Sequence, residues 1–238
     1  MRSRATDRFG EWARYMDSRA RATRSPALAA FFAAGLPRPE TPIGDVPLLA
    51  LDIETTGLKP ERDAIVSIGV VPFDTRRIHL ALRRYWLVHP EGDLSSRSVK
   101  LHHITHADVE SAPGFGTILP ELLECMAGRI AVVHYRAIER QFLDAAVRRC
   151  LDEPFAFPTI DTMDIEAQRH RFGLWSRWLR WLGHSPVSVR LHDSRARYNL
   201  PYYQAHHALV DALATAELFQ AQLATHFRPD TPLSRLCG

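Results

Sequence analysis

Leu48-Leu49-Ala50-Leu51-Asp52-Ile53-Glu54-Thr55-Thr56-Gly57 is the stretch on which the reading of the fold turns. The apolar run is short and bounded by Pro47 and Gly57, which predicts a buried β-strand. Side chains two apart in a strand point the same way. Asp52 and Glu54 therefore project together near the strand's end, and Ile53 faces the other side. Two adjacent carboxylates resist joint ionisation. A divalent cation between them removes that penalty, and hard oxygen ligands suit Mg²⁺ or Mn²⁺. An ordinary strand end with two solvated acids would carry the same Asp-x-Glu, so the remainder of the chain has to decide.

The chain has 238 residues, 46% of them hydrophobic, enough for one sizeable domain and an extension. No apolar run approaches the ~20 residues of a membrane-spanning helix. The N-terminus is polar and Arg-rich, without the apolar core of a signal peptide. Cys125, Cys150 and Cys237 are scattered, with no metal-type spacing, and fit a reducing compartment. These features imply a cytoplasmic protein with no membrane partner. Residues 1–24 hold seven Arg against Asp7, Glu11 and Asp17, a local +4 within an overall +3, so the remainder carries −1. The body is thus no strongly basic nucleic-acid binder, although an acidic site partly masks a basic rim. Lysine occurs only at Lys59 and Lys100. Arg, by its planar fork, suits phosphate contacts.

Residues 1–44 read as a basic helical N-terminal extension. Phe9, Trp12 and Met16 share one helix face, and Ala27–Ala34 forms a second helical patch ended by Gly35. This segment is either a basic arm for nucleic acid or a partner, or a pair of helices packed on the domain. Residues 45–228 form the main domain and 229–238 a tail. Within the domain, Ala64–Phe73 and Ile78–Val88 read as second and third strands. Their short connections imply an antiparallel meander. Ile118–Met126 is an amphipathic helix, Ile130–His134 a fourth strand, Ala137–Cys150 a helix, and Ile160–Thr162 a short fifth strand. Leu174–Leu182 carries Trp at three-residue spacing, either a core face or a base-stacking surface. Val187–Asn199 reads as a polar loop. From Ala208 the chain is a strong helix former, and Asp211 sits on that helix five residues after His206. The layout is α/β with a mixed sheet.

Asp52-Ile53-Glu54-Thr55-Thr56-Gly57-Leu58 resembles the first motif of the DEDD 3′–5′ exonuclease superfamily, which includes the proofreading subunit of bacterial DNA polymerase III. Two further motifs follow in the right order. His134 through Leu143 resembles the family's His-Asn-x-x-Phe-Asp-x-x-Phe-Leu, with Tyr135 at the Asn, Ile138 at the Phe and Glu139 at the third Asp. His206 to Asp211 resembles the His-x4-Asp signature of the DEDDh branch. Leu101-His102-His103-Ile104-Thr105 is similar to the family's His-Gly-Ile-Thr loop, with His103 at the Gly.

The resemblance implies a ribonuclease-H-like fold: a three-strand antiparallel meander plus two parallel strands, with helices on both faces. It implies two divalent ions, Mg²⁺ or Mn²⁺, held by Asp52, Glu54, Glu139 and Asp211, the arrangement that clamps attacking and leaving oxygens. His206 is then the general base, imidazole exchanging protons near neutral pH, and its spacing selects it over His207. Thr55, Thr56 and His102 meet the terminal nucleotide. The implied partners are single-stranded DNA or RNA 3′ ends, with a DNA polymerase or sliding clamp as protein partner. Gln222–Phe227 has a faint likeness to a clamp-binding peptide, but Thr225 is wrong for its buried apolar anchor, so the stretch reads as a plain helix end. The expected activity is release of 5′-mononucleotides from single-stranded or frayed ends, DNA preferred. The alternatives are a degenerate, non-catalytic binder, which Glu139 favours, or an RNA-trimming enzyme.

Overall fold

A computed structural model describes residues 2–90, 110–170 and 186–237. Its centre is β1 (Leu48–Thr55), paired antiparallel to β2 (Ile65–Phe73) and parallel to β4 (Ile130–Val133). Antiparallel β3 (Arg84–Leu87) and parallel β5 (Thr159–Asp161) complete a sheet of order β3-β2-β1-β4-β5. This is the expected mixed sheet. Alternation along β1 then divides the core in two. Leu49, Leu51 and Ile53 pack with Leu122 of α3 (Phe115–Met126) and Phe142 of α4 (Arg136–Leu151). Leu48 and Ala50 pack on the other face, with Ala212, Ala216 and Phe219. Those residues belong to α7 (Ala208–His226), which follows α5 (Thr162–His170) and α6 (Leu191–Arg197).

The first helices belong to the same cores. In α1 (Arg2–Ala22), Phe9 and Met16 are buried and Trp12 lies 4.9 Å beneath the Arg140 guanidinium. Ser25 caps α2 (Pro26–Ala33) by accepting the Leu28 N–H, with Pro26 in the first turn, a pairing that suits a helix start. Phe31 and Phe32 of α2 reach Phe155 in the sheet's core. A 2.7 Å ion pair from Arg19 to Glu153 ties α1 down. At the other end of the chain, Pro232 bridges Pro42 and Cys237 bridges Ile160, so the tail covers the outer edge of β5. A covered edge cannot template pairing with another chain.

Two expectations need correction. The third strand does not span Ile78–Val88: the continuous ladder runs over Arg84–Leu87, Ile78 makes only an isolated bridge to Phe73, and Leu80–Leu82 is a 3₁₀ turn with Leu80 and Leu82 in solvent. Val187–Asn199 is not a loop throughout, because it contains α6, whose inward residues are the polar Ser194 and Arg195. The Trp-bearing stretch Leu174–Leu182 lies outside the described residues. Among the described residues, no helix is long and apolar enough to cross a membrane.

Gly69 sets the height of α7 above the sheet. It pairs with Asp52 across β1 and β2. A Cβ there would come within 2.3 Å of the Leu209 nitrogen and 2.4 Å of the Ala208 carbonyl carbon. Backbone atoms cannot swing aside as a side chain does, so only glycine admits this approach. Gly69→Ala should lower unfolding free energy in urea by about 1–3 kcal/mol and speed amide exchange in the first turn of α7. Unchanged stability and exchange would show that the helix start has slack at this contact.

Candidate active site

Each acid of interest begins or ends an apolar row. On β1, the row Leu48–Ala50 that packs beneath α7 continues as Asp52 and Glu54. On α7, Asp211 lies in the first turn and heads the buried stripe through Thr215 and Phe219. On α4, Glu139 lies in the first turn and heads the stripe of Phe142, Leu143, Ala146 and Val147. Packing of the rows therefore drives the acids together. Carboxylate oxygens of Asp52, Glu54 and Asp211 come within 4.8 Å of one another. Glu139 stands beside this trio without joining it at that distance. Its side chain is buried, and its Oε2 has no hydrogen-bond partner.

The electrostatics of the group follow from this crowding. Burial pushes Asp52 well above the usual carboxylate range, and repulsion from Glu54, Asp211 and Glu139 adds to the rise. Asp211 is also raised, chiefly by burial and then by Glu54; the backbone N–H and the charge of His206, with His192, pull the other way. Burial raises Glu139 strongly as well, with a contribution from Asp161. An inward row of oxygens held short of their preferred ionisation is a donor set for a hard divalent cation. The residues thus fit the implied metal: Asp52, Glu54 and Asp211 as one group of ligands, with the orphaned Glu139 oxygen beside it.

His206 and His207 differ in what holds them. His206 takes a left-handed backbone, φ 71°, and its N–H donates to Asp211 Oδ2 at 2.9 Å. Its side chain is exposed. His207 is the N-cap of α7, and its ring stacks on Tyr85 with centroids 4.7 Å apart. Tyr85 pairs with Gly69, so this stack stands on the strand beyond the acids. Thr55 and Thr56 follow a register shift after Glu54, a bulge of the kind that re-aims side chains beside sites. Thr55 Oγ1 donates to the Gly57 carbonyl at 2.6 Å, and Thr56 Oγ1 accepts the Ala64 N–H at 2.9 Å. Both hydroxyls stiffen the turn. His102 lies outside the described residues.

The second motif is held by a residue that sequence reasoning passed over. Asp161, buried at the end of β5, accepts the N–H groups of Tyr135 and Met163 through Oδ1 and of Arg136 through Oδ2, at 2.9–3.1 Å. It thereby joins the starts of α4 and α5, and fixes Tyr135 in a left-handed conformation, φ 93°. Its signal was present: an acid closing a strand and opening a helix, as Glu54 stands near the end of β1. His134 is pushed down to about 4 by burial and stays neutral, bonded to Thr162 Oγ1 and the Val189 carbonyl. It braces β4 against its neighbours.

Comparison with known proteins agrees with this geometry. The family model described as Exonuclease (RNase_T) matches residues 49–219. The DNA polymerase III subunit epsilon of Treponema pallidum is 30% identical over 181 residues, 76% of this chain and 78% of that one. PolC-type DNA polymerase III of Thermotoga maritima also matches, but the chain spans only 12% of its length. Among solved structures, the nuclease domain of 3′hExo, a DEDDh family member bound to rAMP, superposes with a TM-score of 0.60 at 19% identity, covering 76% of this chain and 92% of that one. Exonuclease X in complex with 5′ overhanging duplex DNA gives 0.58 at 21%, covering 79% and 98%. Both share the fold.

The raised carboxylates make a prediction about stability. A carboxyl with a higher pKa folded than unfolded keeps a proton that the unfolded chain has released. Stability must then fall as pH rises from the ordinary carboxylate value, ~4, toward the raised ones. In chelator at neutral pH, Asp52→Asn should therefore melt above wild type, by ~2–4 °C for each ~1 kcal/mol of repulsion relieved. The gap should close near pH 4 and reverse when Mn²⁺ is added. Equal melting curves for the two proteins across pH in chelator would contradict the mutual repulsion.

Proposed function

The chain belongs to the exonuclease family, and we propose that it is a metal-dependent 3′–5′ exonuclease of the DEDDh kind, releasing 5′-mononucleotides from single-stranded or frayed DNA ends with two divalent ions, Mg²⁺ or Mn²⁺. The observation that carries this reading is the convergence of Asp52, Glu54 and Asp211 within 4.8 Å beside the orphaned Glu139 oxygen. Three of these acids come from the first turns or ends of rigid elements, which suits a site that must hold its geometry. The preference for DNA is supported by the likeness to a DNA polymerase III subunit. That subunit's name also makes a polymerase the protein partner to test. Gln222 is buried and donates to the Thr162 carbonyl and Glu166, so the clamp-like stretch is the plain end of α7.

Asp52 feels the charges of Glu54, Asp211 and Glu139 together and would help to hold both ions. Glu54 and Asp211 would complete one site and Glu139 the other. Bound ions would neutralise phosphate charge and favour ionisation of the attacking water. His206, tethered through its backbone to Asp211 and open to solvent, would accept the water's proton on its ring and pass it to bulk water. His207 is committed to Tyr85. The stiffened Thr55–Gly57 turn would offer its backbone to the terminal nucleotide. Glu139 keeps the charge of the family's Asp and the same buried stripe behind it, which speaks for a working site over a degenerate binder.

Two expectations test the assignment on a labelled single strand. Cleavage should require Mg²⁺ or Mn²⁺, and Asp211→Ala and Glu139→Ala should each abolish most of it. Glu139→Asp should retain activity within ~10²-fold, the scale of a ~1 Å misplacement. Undiminished cleavage by metal-stripped protein in chelator would overturn the reading. Separately, His206→Ala should cost ~10²–10⁴-fold and His207→Ala less than ~10-fold. The opposite ranking would move the general base to His207.

A further inference from the structure

We propose that Tyr202, backed by His192, is a stacking platform for a nucleobase of the unpaired strand as it enters the site. The inference rests on the exonuclease reading and adds a subsite to it. Tyr202 is 81% exposed, the most exposed large apolar side chain among the described residues. Its ring lies nearly parallel to that of His192, with centroids 5.4 Å apart and planes 18° apart. A lone surface aromatic needs no explanation. A ring held flat against a second ring, with its outer side in water, is a shelf of the size and orientation a base requires.

The loop beneath the ring is fixed. Arg195 is buried and donates to the Pro201 carbonyl at 2.9 Å, the Ala214 carbonyl at 2.7 Å and Glu217 at 2.7 Å. Tyr203 packs its ring 4.6 Å from the same guanidinium, and its hydroxyl donates to Glu217 at 2.9 Å. The Pro201 carbonyl and the Tyr203 side chain either side of Tyr202 are thus clamped to α6 and α7, while the Tyr202 ring turns outward. Ordering is complete before any ligand arrives, so little is lost on binding.

Position points to the strand as the occupant. The loop runs from Tyr202 directly into His206, whose N–H donates to Asp211 at 2.9 Å. Two other exposed apolar residues stand on segments that converge there: Leu58 (79%) in the turn after β1 and Tyr135 (49%) at the start of α4. The floor of the site is anionic, and an apolar rim around it favours bases over phosphates. Every base has a π-face, so the platform is blind to sequence and to the sugar.

The test measures binding of a labelled short oligothymidylate by anisotropy, with Ca²⁺ in place of Mg²⁺. Tyr202→Ala should raise Kd by ~5-fold or more, and Tyr202→Trp should bind at least as well as wild type, because base–aromatic stacking needs the ring alone. In turnover on the same strand, Tyr202→Ala should raise KM more than it lowers kcat. Its loss on the p-nitrophenyl ester of thymidine 5′-monophosphate, which has no strand beyond the reacting bond, should be several-fold smaller. Wild-type Kd and KM in Tyr202→Ala, or equal losses on both substrates, would overturn the platform. A wild type that cleaves neither substrate with Mg²⁺ or Mn²⁺ would defeat the exonuclease reading instead, while the anisotropy comparison would still report on stacking. Tyr202 is exposed, and matching thermal midpoints would separate either result from misfolding.

Discussion

Mutual repulsion among buried carboxylates is the constraint around which this fold is arranged. Water screens like charges well and protein interior screens them poorly. Asp52 feels Glu54, Asp211 and Glu139 together, with burial the larger effect. No chain gathers such a group for stability. The hydrophobic rows behind the acids hold it in place: Leu48 and Ala50 below, the Ala212–Phe219 face of α7 above, and the Phe142–Val147 stripe of α4 beside. Burial of a large aliphatic or aromatic side chain contributes ~1.5–3 kcal/mol, so several per row outweigh the repulsion. The acids thus occupy the ends of rows whose middles stabilise the molecule.

Close approach then depends on small local permissions. Gly69 lets the start of α7 rest directly on β2. At Gly57 an added Cβ would meet the Asp63 carboxylate at 2.5 Å, a contact that holds only while Asp63 caps the turn at the Lys59 N–H. Asp161 gathers four backbone N–H groups, of Tyr135, Arg136, Met163 and Asp164, at a junction of two helix starts, where helix dipoles favour a negative charge. These residues touch no reacting atom. They determine where Asp211, Glu54 and Glu139 point.

Legibility of the chain follows from which periodicities survive in it. β1 and α7 were readable because each joins an uninterrupted apolar row to an acid at its end. α4 was readable for the same reason, and β4 as a short unbroken apolar run. The stretch Ile78–Val88 alternates like a strand, yet Leu80 and Leu82 meet no partner strand and remain in solvent, so local pattern misled about pairing. Helix α6 left no hydrophobic signature because polar groups bury it: Arg195 on Glu217 and Arg197 on the fully buried Glu166. Buried ion pairs of this kind carry no period that a sequence can display. Asp161 was passed over because its role lies in backbone groups, and those have no letter in the sequence.

The two departures in the second motif are physically linked. A residue at φ 93° pays a steric cost unless it is glycine, and Asn tolerates the region better than Tyr does. Tyr135 therefore carries local strain of the order of 1–3 kcal/mol, and the two N–H bonds that Asp161 draws from Tyr135 and Arg136 offset it. That clamp sets the first turn of α4, and Glu139 extends from the same turn. A glutamate reaches about one bond farther than an aspartate, so its helix must start correspondingly farther from the other acids for the carboxylate to arrive at the same place. Glu139 stays outside the group that Asp52, Glu54 and Asp211 form within 4.8 Å, and its Oε2 has no hydrogen-bond partner. Tyr135 turns its side chain outward at this junction and Glu139 turns inward, so one backbone conformation, held by one buried acid, serves both the rim and the floor of the site.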